Sequence, residues 1–398
     1  MTRLYLDNAA TSLPKPPAVY AALQKYVTQS GATPGRGNYR EAREGGQLIR
    51  QCRQRLCQLI GATSPDHVIF TLNCTDANNL AIQGLVRHAR RNNPHAPIHI
   101  VTSDLDHNSV LRPIRDMEQD GVTWTCVKSD PVTGVVNPAD IAAALTPDTL
   151  LVALTHASNV LGTIQPAAEI GKICRARNVL FFLDAAQTAG HISINVNELS
   201  VDLLSAPGHK GLLGPLGTGV LYIRPGIEHR LDSLRQGGTG SQSELDTQPI
   251  QLPDKYEPGS HNAPGIVALS EALAWLLDQR IESLRDHEIE LNSRMLCGMQ
   301  SIPSFTILGT HDPAARVGIF TLTHESLDPH TLATILEDEF GILARAGLHC
   351  APRAHSAAGT DASGGLRLSF SAFTTIEDVD RVLSALMHIH AAAPVVIQ

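Results

Sequence analysis

Aromatic side chains are scarce, at 4% of the 398 residues, with only two tryptophans. Any core must therefore be packed mainly by Ala, Leu, Val and Ile. No uninterrupted apolar run approaches the roughly 20 residues that span a bilayer, so no transmembrane helix is expected. The opening residues, Met1 to Asp7, carry no apolar stretch of the signal-peptide kind. No CxxC pair occurs among the seven cysteines (Cys52, Cys57, Cys74, Cys126, Cys174, Cys297, Cys350), and their wide spacing offers no thiolate metal site. Excess positive charge is missing as well. A formal net charge of −8 disfavours nucleic acid or an anionic membrane as a partner, while leaving room for a local basic patch. Together these absences predict a soluble, cytoplasmic protein with reduced thiols.

The chain is long enough for two units, each with its own core. Apolar segments at His67–Leu72, Ile98–Thr102, Thr123–Val127, Leu150–Thr155 and Leu180–Leu183 alternate with helical spacings such as Glu41–Ile60, Leu111–Asp120 and Glu169–Arg177. That order predicts an α/β protein with a largely parallel sheet between helices. From Phe305 onward, strands (Arg316–Thr323, Gly364–Phe370) alternate with helices (Pro329–Phe340, Ile376–His390), which predicts a smaller α/β unit. The expected division assigns 15–262 to the larger unit and 263–398, with 1–14, to the smaller.

The chemistry gathers around Leu204-Ser205-Ala206-Pro207-Gly208-His209-Lys210-Gly211. A lone loop lysine is usually solvated. Lys210, at a strand end between His209 and Gly211, also has the setting of a lysine that forms a Schiff base with a carbonyl cofactor. Upstream, the run Leu180-Phe181-Phe182-Leu183 ends in Asp184, followed by Gln187. That places a carboxylate at the edge of a parallel sheet where ligands bind, or simply at the cap of the next helix. At Asn73-Cys74-Thr75-Asp76-Ala77 a strand turns directly into a helix, an arrangement suited to a phosphate or to ordinary N-capping. Near the other end, Cys350 follows Arg345 and His349 on an expected loop rich in Gly, Pro and Ser. The expectation there is an exposed thiol with positive charge nearby to favour its thiolate. Arg367 lies in the alternating strand Leu366-Arg367-Leu368-Ser369-Phe370.

Asp184, Gln187 and Lys210 in this order resemble the class V group of fold-type I pyridoxal-phosphate enzymes, and within it the cysteine desulfurases and selenocysteine lyases. The resemblance runs from Leu6-Asp7-Asn8-Ala9-Ala10-Thr11 to Arg367-Leu368-Ser369-Phe370 and implies a seven-stranded, mostly parallel sheet. It implies pyridoxal 5'-phosphate on Lys210, with Asp184 at the pyridinium nitrogen, Asn159 on the phenolic oxygen, and His107 stacked on the ring as proton shuttle. Gln187 belongs to the same cofactor set. The phosphate would be held at Thr75 and Asp76, by His209, and across a homodimer by Ser260. Arg367, with Arg345 and Asn159, would hold the substrate, L-cysteine or L-selenocysteine. Cys350 would take the sulfur as a persulfide and pass it to an acceptor protein. Two departures stand out: Pro207 replaces a serine common at that position, and Asn38-Tyr39 replaces a common histidine. Selenocysteine lyase, a cysteine or cystine C–S lyase, and a non-catalytic sulfur carrier remain open alternatives.

Overall fold

The computed structural model describes residues 3–35, 37–242 and 244–392; Arg36, which the sequence places in a loop framed by Gly35 and Gly37, lies outside the described residues. In chain order the strands are β1 (Leu4–Tyr5), β2 (Val68–Thr71), β3 (Ile98–Ser103), β4 (Val122–Val127), β5 (Thr149–Thr155), β6 (Leu180–Asp184), β7 (Leu203–Pro207), β8 (Gly219–Ile223), β9 (Phe305–Ile307), β10 (Ile319–His324), β11 (Ile342–Leu343), β12 (Arg345–Gly347) and β13 (Gly365–Ser369). The α-helices are α1 (Pro17–Lys25), α2 (Arg40–Leu59), α3 (Cys74–Asn92), α4 (Asn108–Asp116), α5 (Pro138–Ala144), α6 (Ala167–Ala176), α7 (Ala263–Gln279), α8 (Ile281–Met299), α9 (Pro329–Phe340), α10 (Pro352–Ala357) and α11 (Ile376–Ala392).

A seven-stranded sheet in the order β2-β8-β7-β6-β5-β3-β4 forms the large layer. Its neighbours are parallel from β7 through β4, and only β8 runs the other way, antiparallel to both β7 and β2. The expected α/β class and mostly parallel sheet are therefore found. β6 shows why its sequence does not alternate in polarity. Phe181 and Leu183 enter the apolar core on one face, while Leu180 and Phe182 enter the core on the other. Both faces are covered by helices, so every position must be apolar until the strand ends at Asp184.

Because β2 and β7 are each antiparallel to β8, the strands β2, β3, β5, β6 and β7 all point the same way. Their carboxyl ends share one sheet edge, the edge at which open α/β sheets place ligands. Thr71, Ser103, Thr155, Asp184 and Pro207 close those strands, and the segments following them build the site.

A four-stranded antiparallel sheet, β12-β13-β10-β9, forms the smaller layer beside a two-stranded parallel pair, β1-β11. The amino-terminal segment is zipped onto it: Leu6 lies in its core, Asp7 bridges to Ser369, and the Asn8 side chain donates to the Ser369 carbonyl at 2.9 Å. Helix α7 is apolar nearly all round, and Ile266, Leu269, Leu273 and Leu276 pack into the core of the large layer. The expected division at 262/263 assigns this helix to the smaller unit, whereas its apolar residues pack into the core of the larger one. Among the described residues no helix is long and apolar enough to cross a membrane.

Candidate active site

Asn73, Cys74 and Thr75 after β2, His107 after β3, Asn159 after β5, Asp184 and Gln187 at the end of β6, and His209 and Lys210 after β7 line one cavity. Its empty volume is about 520 Å³. These residues are distant in sequence, and the common direction of five strands brings them together.

The turn carrying Lys210 leaves no space for side chains on either side. A Cβ at Gly208 would lie 2.1 Å from Thr218 Oγ1, and one at Gly211 would lie 2.4 Å from the Ala189 carbonyl oxygen. Glycine is needed for close approach of the backbone. Burial lowers the Lys210 pKa from that of a free lysine; Arg367 and Arg345 push the same way, against Cys74 and Asp184. A lysine held this way has more free amine near neutral pH than an exposed one.

Asp184 is anchored rather than capping. Its Oδ2 accepts from Asn78 Nδ2 and its Oδ1 from the Ala186 N–H, both at 2.9 Å. Asn78 Nδ2 also donates to Ser109 Oγ at 2.9 Å. Ser109 in turn meets His107: its backbone N–H donates to Nδ1 at 3.0 Å, and its hydroxyl lies 2.8 Å from the same nitrogen. Nδ1 is thus an acceptor, and neutral His107 carries its proton on Nε2. Burial, aided by the positive charge of Lys210, holds its pKa down at about 4, so the neutral ring prevails near pH 7. Asn78 and Ser109, which sequence reading did not single out, tie the histidine to the carboxylate.

At the opening of α3, Asn73 is the N-cap, accepting from the Asp76 N–H at 2.9 Å. The Asp76 carboxylate accepts from the Leu72 N–H at 3.0 Å and pairs with Arg235 at 2.8 Å. Asp76 is not among the residues lining the cavity; Thr75 is. A carboxylate already used in this way offers nothing to a phosphate, which needs donors. His209 Nδ1 is buried without a hydrogen-bond partner, and burial depresses its pKa to about 4. Ser260 lies elsewhere, in a groove it shares with Arg53, Thr239 and His261.

Arg367 is 1% exposed, a guanidinium turned inward rather than toward solvent. Its Nη2 donates to Asp7 Oδ1 at 2.7 Å and its Nη1 to the Asn159 carbonyl at 3.2 Å, while Nε is buried without a partner. Arg345 lies opposite it in the β12–β13 register. The Asn159 side chain donates to the His349 carbonyl at 2.7 Å, tying the wall of the cavity to the segment that carries the cysteine.

Cys350 is exposed and lines a groove with Thr75, His107, Ser109 and Arg112, beside the Lys210 cavity. The Asn108 N–H, next to His107, donates to its carbonyl at 3.0 Å. After it the chain turns into helix α10, where the sequence had predicted loop; Pro352 is the first residue of that helix, a position that needs no N–H donor. His349 does not supply the positive charge expected of it. The ring is 3% exposed, and burial together with the charge of Arg367 pushes its pKa down to about 3.

Residues 4–382 match the class-V aminotransferase family. A probable cysteine desulfurase of Methanothermobacter thermautotrophicus is 32% identical over 380 residues, covering 94% of this chain and 92% of that protein. The cysteine desulfurase IscS of Methanosarcina thermophila is 32% identical over 395 residues, covering 97% and 91%. Among solved structures, the apo cysteine desulfurase of Thermococcus onnurineus superposes with a TM-score of 0.90 at 28% identity, over 98% of this chain and 95% of that one. The Escherichia coli cysteine desulfurase CsdA gives 0.85 at 26% identity, over 97% and 94%.

Proposed function

The chain belongs to the class-V aminotransferase family, and we propose that it is a cysteine desulfurase that uses pyridoxal 5'-phosphate. The observation that carries this reading is the meeting of Lys210, Asp184 and His107 in one cavity, with Cys350 fastened beside His107 on the adjoining groove. The donor set suits the cofactor. An amine is available for an aldehyde and a carboxylate for a protonated ring nitrogen. A helix N-terminus and the unpartnered His209 Nδ1 are available for a phosphate. With Pro207 in place of a hydroxyl residue, Thr75, His209 and the α3 amides would hold that phosphate; Asp76 only braces the turn.

When bound, the cofactor supplies an electron sink for the charge that develops at the substrate Cα. The protein does the rest. Lys210 would hold the cofactor through its aldehyde, and its amine is the base placed to take the substrate Cα proton. Asp184, fixed by Asn78 and Ala186, would keep the ring nitrogen protonated. Gln187 and Asn159 would hold the ring edge, and Arg367 would receive the substrate carboxylate, with Arg345 beside it. His107, with its proton on Nε2, can give that proton and regain it. The Cys350 thiolate then attacks the substrate sulfur: an S–S bond forms as the Cβ–S bond breaks, and the electron pair left on carbon is captured by a proton. Cysteine and an enzyme thiol thus become alanine and an enzyme persulfide, balanced without external oxidant.

Ser260, away from its own cavity, serves the partner's site in a homodimer. An acceptor protein collects the sulfur from exposed Cys350. All seven cysteines are unbridged, which supports a reducing, cytoplasmic setting. Product analysis tests the reading: a desulfurase gives one alanine per sulfur from L-cysteine. Pyruvate with ammonia would assign a C–S lyase, activity on selenocysteine alone a selenocysteine lyase, and no product at all a sulfur carrier.

A further inference from the structure

Two consecutive non-glycine residues, His349 and Cys350, adopt left-handed backbone with φ of 51° and 59°. Such a conformation is unfavourable for a residue with a Cβ and persists only where the surroundings over-determine it. Three contacts do so here. Two are the hydrogen bonds to the carbonyls of His349 and Cys350, from Asn159 and the Asn108 N–H. The third begins at the His349 ring. Nε2 lies 3.1 Å from the Arg345 carbonyl, and Nδ1 lies 3.1 Å from Nε2 of His355. Nδ1 of His355 lies 2.8 Å from the Thr360 hydroxyl. The two rings are stacked, 5.3 Å between centroids, and His355 is fully buried.

The chain of contacts has one consistent direction. A carbonyl only accepts, so His349 carries its proton on Nε2 and offers a lone pair at Nδ1. His355 fills it with its own Nε2–H, and Thr360 fills the lone pair at Nδ1 of His355. Burial holds both rings neutral, with pKa values near 3 and 4. Neither imidazole has a nitrogen left over to act as a base toward the thiol.

We propose that His355, supported by Thr360, is a positioning residue for sulfur transfer: through the His349 ring it holds residues 349 and 350 in the geometry that presents Cys350 beside His107. The inference rests on Cys350 being the sulfur acceptor. It assigns a role to the second histidine of His349-Cys350-Ala351-Pro352-Arg353-Ala354-His355, which lines neither the Lys210 cavity nor the Cys350 groove.

The test compares holoenzyme variants His355→Leu, His355→Gln and Thr360→Val with Cys350→Ala. Leucine removes the donor to His349; the glutamine amide can replace it. We expect His355→Leu to keep the cofactor absorbance, the cysteine-induced change in that absorbance, and KM. Alanine release should fall about 10- to 100-fold, the scale of a nucleophile displaced by an ångström. The rate at which iodoacetamide alkylates Cys350 should change with it. His355→Gln should recover both readouts, and Thr360→Val, a milder change, should shift both in the same direction as leucine. Wild-type alanine release and alkylation in His355→Leu would overturn the inference. Parallel loss of cofactor and activity in both the leucine and glutamine variants would overturn it too, because His355 would then only support the fold. If Cys350→Ala still makes alanine, the sulfur-acceptor reading fails and this inference fails with it. If Cys350→Ala is inactive while His355→Leu is unimpaired, only the positioning role is lost.

Discussion

The carboxylate of Asp7 accepts a hydrogen bond at 2.7 Å from the guanidinium of Arg367, 360 residues further along the chain. The pair aligns the arginine fork beside the Lys210 cavity, with its second Nη on the Asn159 carbonyl. Buried charges of this kind are retained only when paired and hydrogen-bonded.

Replacing Arg367 by Lys keeps the charge but removes the planar fork that matches a carboxylate. We expect kcat/KM for cysteine to fall by the equivalent of about 1.5–3 kcal/mol, the size of a charge-assisted hydrogen bond. Cofactor absorbance should be unchanged. Steady-state kinetics with an absorbance scan checks both; an unaffected kcat/KM would place the substrate carboxylate elsewhere, with the cross-strand Arg345 the next residue to change.

Acid should destabilise the protein through its buried neutral histidines. His107, His156, His209, His349 and His355 titrate at the ordinary histidine value of 6.5 when unfolded, but at about 4, 4, 4, 3 and 4 in the fold. The stability they contribute is complete above pH 6.5 and is lost as pH falls toward 4, because the unfolded chain binds protons first. Each such group removes at most about 1.4 kcal/mol per pH unit in that window. Buried Asp106, raised by burial to about 6, works in the opposite direction. Five histidines against one acid leave a net loss. The melting temperature of the cofactor-free protein should decline from pH 7 to pH 4.5, and less steeply for His355→Gln; a rise over that range would contradict the assignment.

The dimer proposal has its own check. Ser260 lies in the groove with Arg53 and His261 rather than in the Lys210 cavity, and the role proposed for it is in a partner's site. Size-exclusion chromatography at low protein concentration should show an active dimer. Ser260→Ala should loosen cofactor retention without changing that size. An active monomer would refute the shared site.

The strand–helix order and the strand-end positions of Asp184 and Lys210 were legible in the sequence, because buried parallel strands leave an unmistakable apolar run that stops where the ligand edge begins. The long-range partners were not. Nothing local to Asp7 points to Arg367, and nothing local to Asn78 points to Asp184. His349 is the instructive case. Proximity to a cysteine and an arginine predicts a positive charge, but burial reverses it, and burial depends on the neighbours that the fold supplies. Helix α10 was missed because Pro352, Gly359 and small residues look like loop punctuation. The same proline at the first helical position is a start signal. Asp76 has the composition of a phosphate turn, yet its carboxylate is drawn outward to Arg235.

The central claim is that Cys350 takes the sulfur atom. Mass spectrometry of the wild-type enzyme after brief exposure to L-cysteine, without reductant, tests it most directly. The account predicts one added sulfur on the peptide containing Cys350, its absence in Cys350→Ala, and loss of alanine release in that variant despite an unchanged cysteine-induced absorbance shift. Unmodified Cys350 together with undiminished alanine release by Cys350→Ala would contradict it.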